Sequence, residues 1–177
     1  LVGKRGGRES CRQDDINDLM VRLAGAGRRV VRLKSGDPTL FGRAGEEIAQ
    51  LQAAGIPVDI VPGITAGIAM AAALGISLTH RGHAKSVRFV TGHSRRGGLP
   101  EDVDWRAIAD PSATTIFYMS GRTAGAITDR LVALGLSPDT PAAVASALSR
   151  PEQTLVSTRL KDLAAVVASI GLSQPVA

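Results

Sequence analysis

Short β-branched runs alternate with segments of helical periodicity along this chain, and turns rich in glycine or proline separate them. The runs with the composition of strands are residues 29–33, 58–61, 86–91 and 114–119. The segments with helical spacing are residues 14–24, 44–54, 65–74 and 124–134. Alternation of this kind is typical of βα units around a mostly parallel sheet, so the sequence predicts an α/β fold.

The last third of the chain predicts two more strands, at residues 142–147 and 154–157, and a final helix at residues 160–170. We place a boundary at residues 79–85, which divides the chain into two α/β domains, residues 1–82 and 83–177. Both domains are expected to be incomplete, because Leu1-Val2 resembles the end of a strand and residues 175–177 the start of one.

Composition narrows the class of protein. Aromatic residues make up only 3% of the chain, which argues against a base-stacking surface for nucleic acid. The net charge is +5, yet the arginines lie singly in or beside glycine-rich loops, which suits a pocket for a small polyanion at least as well. No apolar run approaches the ~20 residues that span a bilayer. The single cysteine, Cys11, excludes an internal disulfide, and the cytosol is the default compartment.

Two loops follow predicted strands, where ligands bind in open α/β sheets. In residues 34–43 (KSGDPTLFGR), Gly36 permits close backbone approach and Asp37 offers an acceptor for a hydroxyl or ammonium group. In residues 61–67 (VPGITAG), Thr65 and the first helical amides are able to hold a polar ligand. Asp37 also suits a turn or cap, and Thr65 an N-cap, so neither loop alone decides the function.

Taken together and in order, the motifs point to one protein family far more specifically than either loop does alone. VGKRGG, Q-x-x-I-N, RLKSGDPTLFGRAGEE, IPVDIVPGITAGIA, GISLTHR, FVTGH and FYM resemble those of the tetrapyrrole methylase superfamily, and within it the uroporphyrinogen-III methyltransferases. The resemblance implies two α/β domains with the active site in the cleft between them. It also implies a homodimer, and from the composition we expect a cytoplasmic protein without nucleic-acid or membrane partners.

The implied reaction is C-methylation of uroporphyrinogen III at carbons 2 and 7, giving precorrin-2 by way of precorrin-1, in sirohaem or cobalamin biosynthesis. S-adenosyl-L-methionine donates the methyl groups and leaves as S-adenosyl-L-homocysteine. The residues that the resemblance assigns to this cofactor are Ser35, Gly36, Asp37, Leu40, Thr65, Ala66, Met119, Ala143 and Leu148.

The resemblance assigns Arg43, Glu46 and Arg81 to the substrate. Uroporphyrinogen carries eight carboxylates, which arginine forks match in bidentate geometry. Lys4 corresponds to a lysine assigned as a proton donor, and Arg43 or a water to the general base. Glu47, next to Glu46, reads only as an acid in the first turn of a helix.

No metal site is predicted, because His80, His83 and His93 are not spaced with a cysteine or carboxylate as a ligand set. The chain departs from the family pattern in having Ser35 and Ala44 where glycine is usual. The family's GxGPGD loop and a catalytic aspartate would precede Leu1.

Two other functions stay open. One is methylation of a later corrin intermediate or of a non-tetrapyrrole, against which GISLTHR and VGKRGG argue. The other is a binding or dimerisation module without turnover.

Overall fold

The computed structural model describes residues 11–94, 97–172 and 176. Its helices are α1 (Gln13–Gly25), α2 (Ala44–Ala53), α3 (Ala66–Leu74), α4 (Trp105–Ile108), α5 (Ala124–Ala133) and α6 (Leu163–Ile170). Its strands are β1 (Ser86–Thr91), β2 (Ala113–Tyr118), β3 (Pro141–Ser146) and β4 (Thr154–Arg159). Within the described ranges, no helix combines the length and apolar character that crossing a membrane requires.

The chain divides into two compact units, the first ending at Thr65 and the second beginning at Ala66. These units do not coincide with the domains predicted at residues 1–82 and 83–177. The predicted division into two α/β domains stays a prediction.

In the first unit, α1 and α2 pack together around a small core. Ile16 of α1 is 1% exposed, and Met20 and Ala44 are also buried. Ile16 and Met20 are four residues apart, as the helical period requires for one buried face. The predicted helices at residues 14–24 and 44–54 are confirmed to within one residue at each end.

The strands predicted at residues 29–33 and 58–61 are wrong within the described chain. Neither segment joins a strand ladder, and Val31, Leu33 and Val61 are 72%, 82% and 80% exposed. Composition identifies segments that suit a pleated, half-buried surface, but a strand also needs a neighbour to receive its hydrogen bonds. The described residues supply no such neighbour to these two segments.

The second unit contains the parallel pair β1–β2, in register from Ser86↔Ala113 to Thr91↔Tyr118. One buried cluster comprises Trp105, Ile108, Ile127, Leu131 and Leu160. The sequence did not predict α4, which Asp104 caps by accepting hydrogen bonds from the amides of Arg106 and Ala107. The Asp residue before this one-turn helix was the available signal.

The predicted strands at residues 142–147 and 154–157 form an antiparallel pair, β3–β4. Val144 of β3 is 1% exposed and packs with Ala124 and Val167 in a second cluster. The final predicted helix begins as a 3₁₀ turn at Leu160–Asp162 and continues as α6. The mixed α/β class predicted from the sequence is confirmed.

Candidate functional site

The carboxylate of Asp37 accepts three hydrogen bonds inside the first unit. Its Oδ1 accepts hydrogen bonds from the amide of Thr39 at 2.8 Å and from the Thr39 hydroxyl. Its Oδ2 accepts one from the amide of Gly63 at 3.0 Å. The Thr39 hydroxyl, the Gly63 amide and the Thr39 amide lower the pKa of Asp37, so the carboxylate stays ionised. Asp37 therefore joins the loop at residues 34–43 to the loop at residues 61–67.

The same two loops touch backbone to backbone at Gly36 and Gly63. A Cβ atom on Gly63 would lie 2.2 Å from the carbonyl oxygen of Gly36, a separation that no side chain tolerates. Gly36 itself has φ +71°, and a Cβ there would lie 3.6 Å from Cα of Thr65. Glycine at both positions is therefore what permits the loops to meet.

The predicted cofactor residues of the first unit differ in exposure. Ser35 and Gly36 are exposed, whereas Asp37 and Leu40 are half-buried. Thr65 is only 3% exposed, so its side chain belongs to the interior of the structure. The structure brings Gly36, Asp37 and Thr65 together around the Gly36–Gly63 contact.

Arg43 and Glu46 form a bidentate ion pair at the start of α2. Arg43 Nε donates to Glu46 Oε1 at 2.7 Å, and Nη2 donates to Oε2. The side chains are 42% and 45% exposed, so both stay accessible to a ligand. The hydrogen bond to Glu46 raises the pKa of Arg43 further above that of an ordinary arginine. The predicted role of Arg43 as a proton acceptor stays a prediction.

Left-handed backbone at non-glycine residues is concentrated in the predicted ligand loops. Among the described residues, positive φ angles between 50° and 61° occur at Phe41, Arg43, Met119, Ala147 and Ser149. Such conformations cost on the order of 1–3 kcal/mol each, and they cluster where a site imposes the geometry. All five residues lie in, or within one residue of, a segment to which the sequence assigned cofactor or substrate contacts.

The remaining predicted cofactor residues belong to the second unit. Met119 follows β2 directly and is 53% exposed, which leaves its thioether accessible. Ala143 lies in β3 opposite Ser157, and Leu148 follows that strand; both are half-buried. Ala66, the first residue of α3, is also half-buried.

Tyr118, just before Met119, was not singled out by the sequence. Its hydroxyl accepts a hydrogen bond from the amide of Gly67 at 2.9 Å, which ties the first turn of α3 to β2. A Cβ on Gly67 would lie 2.8 Å from Cγ2 of the buried Ile116. Gly67 is therefore required for the close packing of α3 on this strand.

Arg81 lies at an exposed turn that backbone hydrogen bonds between His80 and Ala84 close, at 2.7 and 2.9 Å. The rings of His80 and His83 stack with their centroids 4.7 Å apart. In the described parts of the chain, no three His, Cys, Asp or Glu side chains form a group that could hold a metal ion. Lys4, the predicted proton donor, lies outside the described residues.

Glu47 is buried, although the sequence indicated only a first-turn acid. It is 5% exposed and accepts hydrogen bonds from Lys34 Nζ at 2.7 Å, Gln13 Nε2 at 3.0 Å and Arg32 Nε at 3.3 Å. Burial acts to raise the pKa of Glu47, but the hydrogen bonds from Lys34 and Gln13 and the nearby cations outweigh it. Its pKa is therefore lowered, and the ion pair with Lys34 stays charged.

Comparison with known proteins identifies the family to which this mixed α/β chain belongs. The profile of the family described as Tetrapyrrole (Corrin/Porphyrin) Methylases matches residues 2–164. The chain belongs to this family.

Individual members of the family match this chain over nearly its whole length. The chain is 47% identical over 174 residues, 98% of its length, to the chloroplastic S-adenosyl-L-methionine-dependent uroporphyrinogen III methyltransferase of Arabidopsis thaliana, of which it covers 47%. It is 46% identical to a uroporphyrinogen-III C-methyltransferase of Sinorhizobium sp over 99% of its length, and covers 62% of that protein. The chain thus spans about half the length of such relatives.

Solved structures share the fold. Uroporphyrin-III C-methyltransferase of Thermus thermophilus, in complex with S-adenosyl homocysteine, matches with a TM-score of 0.75 at 35% identity. That match covers 93% of this chain and 71% of the other.

Proposed function

We propose that this chain carries out S-adenosylmethionine-dependent C-methylation of uroporphyrinogen III at carbons 2 and 7, with precorrin-1 as the intermediate and precorrin-2 as the product. The observation that carries this proposal is the 47% identity over 98% of the chain to the Arabidopsis uroporphyrinogen III methyltransferase. The motifs GISLTHR and VGKRGG support the same substrate. The reaction supplies precorrin-2 to sirohaem or cobalamin biosynthesis.

The residues present fit the proposed cofactor. Ser35 and Gly36 are exposed in the first loop, so a large ligand is able to approach the backbone there. Met119 offers an exposed, polarizable thioether of the kind that suits an adenine ring. S-adenosylmethionine supplies, when bound, an electrophilic methyl group on a sulfonium. In this proposal Ser35, Gly36 and Leu40 contact it directly, and Asp37 holds the loop that presents them.

The described contacts also change the role that we assign to Thr65. Its burial leaves little of the side chain for a ligand. We assign Thr65 to the support of the loop at residues 61–67, and the half-buried Ala66 to the cofactor. In the second unit, Met119, Ala143 and Leu148 complete the proposed cofactor contacts.

Arg43, Glu46 and Arg81 bind the substrate in this proposal. The Arg43–Glu46 pair occupies the edge of the guanidinium formed by Nε and Nη2, so Nη1 and the second proton of Nη2 face a substrate carboxylate. Glu46 then orients Arg43 rather than contacting the substrate alone. Arg81, exposed at its turn, binds another of the eight carboxylates.

Catalysis in this proposal depends mainly on orientation. An electron-rich pyrrole carbon attacks the methyl group in line, the methyl–sulfur bond breaks with release of S-adenosylhomocysteine, and the substrate then loses one proton to Arg43 or a nearby water. Holding both partners in that geometry supplies much of the rate. Arg43 also orients the tetrapyrrole in this proposal. Lys4 remains the proposed proton donor. We further propose that the protein is a cytoplasmic homodimer, for which light scattering at micromolar concentration would report twice the chain mass.

A second function has one observation in its favour. Cobalt precorrin-4 methyltransferase matches the fold with a TM-score of 0.83 over 99% of the chain, above the value for the Thermus enzyme. Its sequence identity is only 27%, however, against 35% for the Thermus enzyme. This comparison makes a later corrin intermediate the main alternative substrate.

An absorbance-monitored assay distinguishes the two. The full chain is incubated with S-adenosylmethionine and either uroporphyrinogen III or a later corrin intermediate. We expect the spectrum of precorrin-2 to develop only with uroporphyrinogen III. Turnover of the corrin intermediate alone would favour the second function, and no turnover of either would favour a binding module.

A further inference from the structure

The strongest feature outside the predicted contacts is the buried ion pair of Lys34 and Glu47. Lys34 Nζ lies 2.7 Å from Glu47 Oε2, and their side chains are only 11% and 6% exposed. Lys34 immediately precedes the loop at Ser35–Gly42, and Glu47 lies in the first turn of α2, which follows that loop. The pair therefore bridges the two ends of the loop.

The stem of Lys34 makes a second contact with the same loop. A Cβ on Gly42 would lie 3.1 Å from Cε of Lys34 and 2.7 Å from the carbonyl oxygen of Pro38. The aliphatic chain thus runs beneath the end of the loop, while the ammonium group reaches Glu47. One side chain contacts the beginning of the loop, its end and the adjoining helix.

The position of Glu47 is itself fixed from α1. Gln13 Nε2 donates to Glu47 Oε1 at 3.0 Å and to Asn17 Oδ1 at 3.0 Å, and Gln13 and Asn17 are 6% and 4% exposed. Both oxygens of Glu47 are therefore held by donors from buried or partly buried neighbours. The loop is anchored to a rigid element rather than to a mobile surface group.

Stability alone does not account for such a pair. Apolar residues of similar volume often stabilise an interior at least as well as a buried ion pair, because desolvation offsets the attraction between the charges. What charge-assisted hydrogen bonds add is direction, since they fix the atoms in one geometry.

We propose that Lys34 and Glu47 are positioning residues that hold the Ser35–Gly42 loop in the conformation that binds S-adenosylmethionine. This inference rests on the proposed function for the identity of the ligand. Neither residue contacts the cofactor; both act through the backbone of the loop between them.

The test compares a buried and an exposed ion pair that are each neutralised. In the double variant Lys34→Met/Glu47→Gln, methionine keeps an unbranched stem and glutamine keeps an oxygen for Gln13 and Arg32. The control is Lys161→Met/Asp139→Asn, which neutralises a pair with the same charges at 2.8 Å whose side chains are 52% and 57% exposed. The readouts are the thermal midpoint, the S-adenosylmethionine dissociation constant by calorimetry, and amide hydrogen exchange across residues 35–42.

We expect the Lys34/Glu47 double variant to melt closer to the parent than either single variant does. Its cofactor affinity should fall about tenfold or more, because a loop that is no longer held in its bound conformation must be ordered on binding. Amide exchange at residues 35–42 should accelerate to a similar extent, and the control variant should change neither readout. A stable double variant with parental affinity and parental exchange would overturn the proposal.

A second variant and a readout that does not need the cofactor complete the test. If the double variant does not fold, Glu47→Asp retracts the carboxylate by one methylene while keeping its charge, and unchanged affinity and exchange in that variant would overturn the proposal. Hydrogen exchange does not depend on the cofactor. Absence of S-adenosylmethionine binding by the parent would therefore contradict the proposed function, whereas the exchange result still decides whether the pair holds the loop.

Discussion

The carboxylate of Asp37 accepts a hydrogen bond from the amide of Gly63 at 3.0 Å, although 26 residues separate them in the chain. This bond joins the two glycine-rich loops to which the sequence assigned cofactor contacts. The carboxylate that the sequence offered to a ligand is thus committed to the protein's own backbone. Its effect on binding then includes the shape of the loops that it joins.

Gly63→Ala should disrupt this arrangement, because its Cβ would lie 2.2 Å from the carbonyl oxygen of Gly36. Overpacking of this kind typically costs about 1–3 kcal/mol of unfolding free energy. We expect that loss in chemical denaturation, together with a weaker affinity for S-adenosylmethionine. Gly45→Ala is the matched control: nothing lies within 4 Å of its Cβ position in α2, so stability should rise by roughly 0.5–1 kcal/mol. Parental affinity in Gly63→Ala would show that the loop contact does not matter for the cofactor.

Asp37→Ala removes the acceptor for Thr39 and Gly63 together. From the sequence alone, a turn residue outside the core should leave stability unchanged, but the two backbone amides it serves indicate a measurable loss. We expect a lower thermal midpoint and weaker S-adenosylmethionine binding by calorimetry. Thr39→Val, which removes only the hydroxyl donor, should give a smaller effect on both. Equal affinity in Asp37→Ala and the parent would remove Asp37 from the site.

Arg43→Leu and Arg81→Leu should weaken binding of the tetrapyrrole but not binding of the cofactor. Losing a charge-assisted contact to a carboxylate costs a few kcal/mol, on the order of a hundredfold in affinity. Arg130→Leu, at an exposed position of α5, serves as the control for loss of one positive charge. Uroporphyrinogen binding and methylation should fall in the first two variants only, with S-adenosylmethionine affinity close to the parent. The reverse pattern would mean that the two ligands are assigned to the wrong residues.

Asp110 provides a pH-dependent prediction in the second unit. The hydrogen bond from Arg88 Nη2, at 2.8 Å, and those from Ser112 lower the pKa of Asp110 from 3.8 to about 2. A lowered folded-state pKa contributes stability that is fully present above the unfolded value of 3.8 and is lost as the pH falls through about 2. The difference in thermal midpoint between the parent and Asp110→Asn should therefore be constant from pH 7 to pH 5. It should shrink as the pH falls below 3.8, and a difference that grows on acidification would contradict this assignment.

The spacing of apolar residues predicted the helices well, because the buried face of an amphipathic helix recurs with the helical period. Ile16 and Met20 of α1 are four residues apart and both are buried. The strand prediction at residues 29–33 failed because the described chain offers Val31 and Leu33 no neighbour. A strand depends on a partner elsewhere in the chain, which local composition does not specify.

In the candidate site, too, contacts between near residues could be predicted from the sequence, whereas contacts between distant segments could not. Arg43 and Glu46 are three residues apart on one helical turn, and their pairing follows from that spacing. Glu47 read equally well as a solvated acid, and only the packing of α1 and α2 buries it against Lys34 and Gln13. The Asp37–Gly63 bond likewise depends on how two distant loops meet.

We propose that this chain transfers methyl groups from S-adenosylmethionine to uroporphyrinogen III. Mass spectrometry of the tetrapyrrole after reaction with methyl-deuterated S-adenosylmethionine counts those groups directly. We expect a product carrying two deuterated methyl groups, preceded by a transient product carrying one, and slower labelling when Gly63→Ala replaces the parent protein. Recovery of unlabelled uroporphyrinogen III from the parent, with label entering a later corrin intermediate instead, would contradict it.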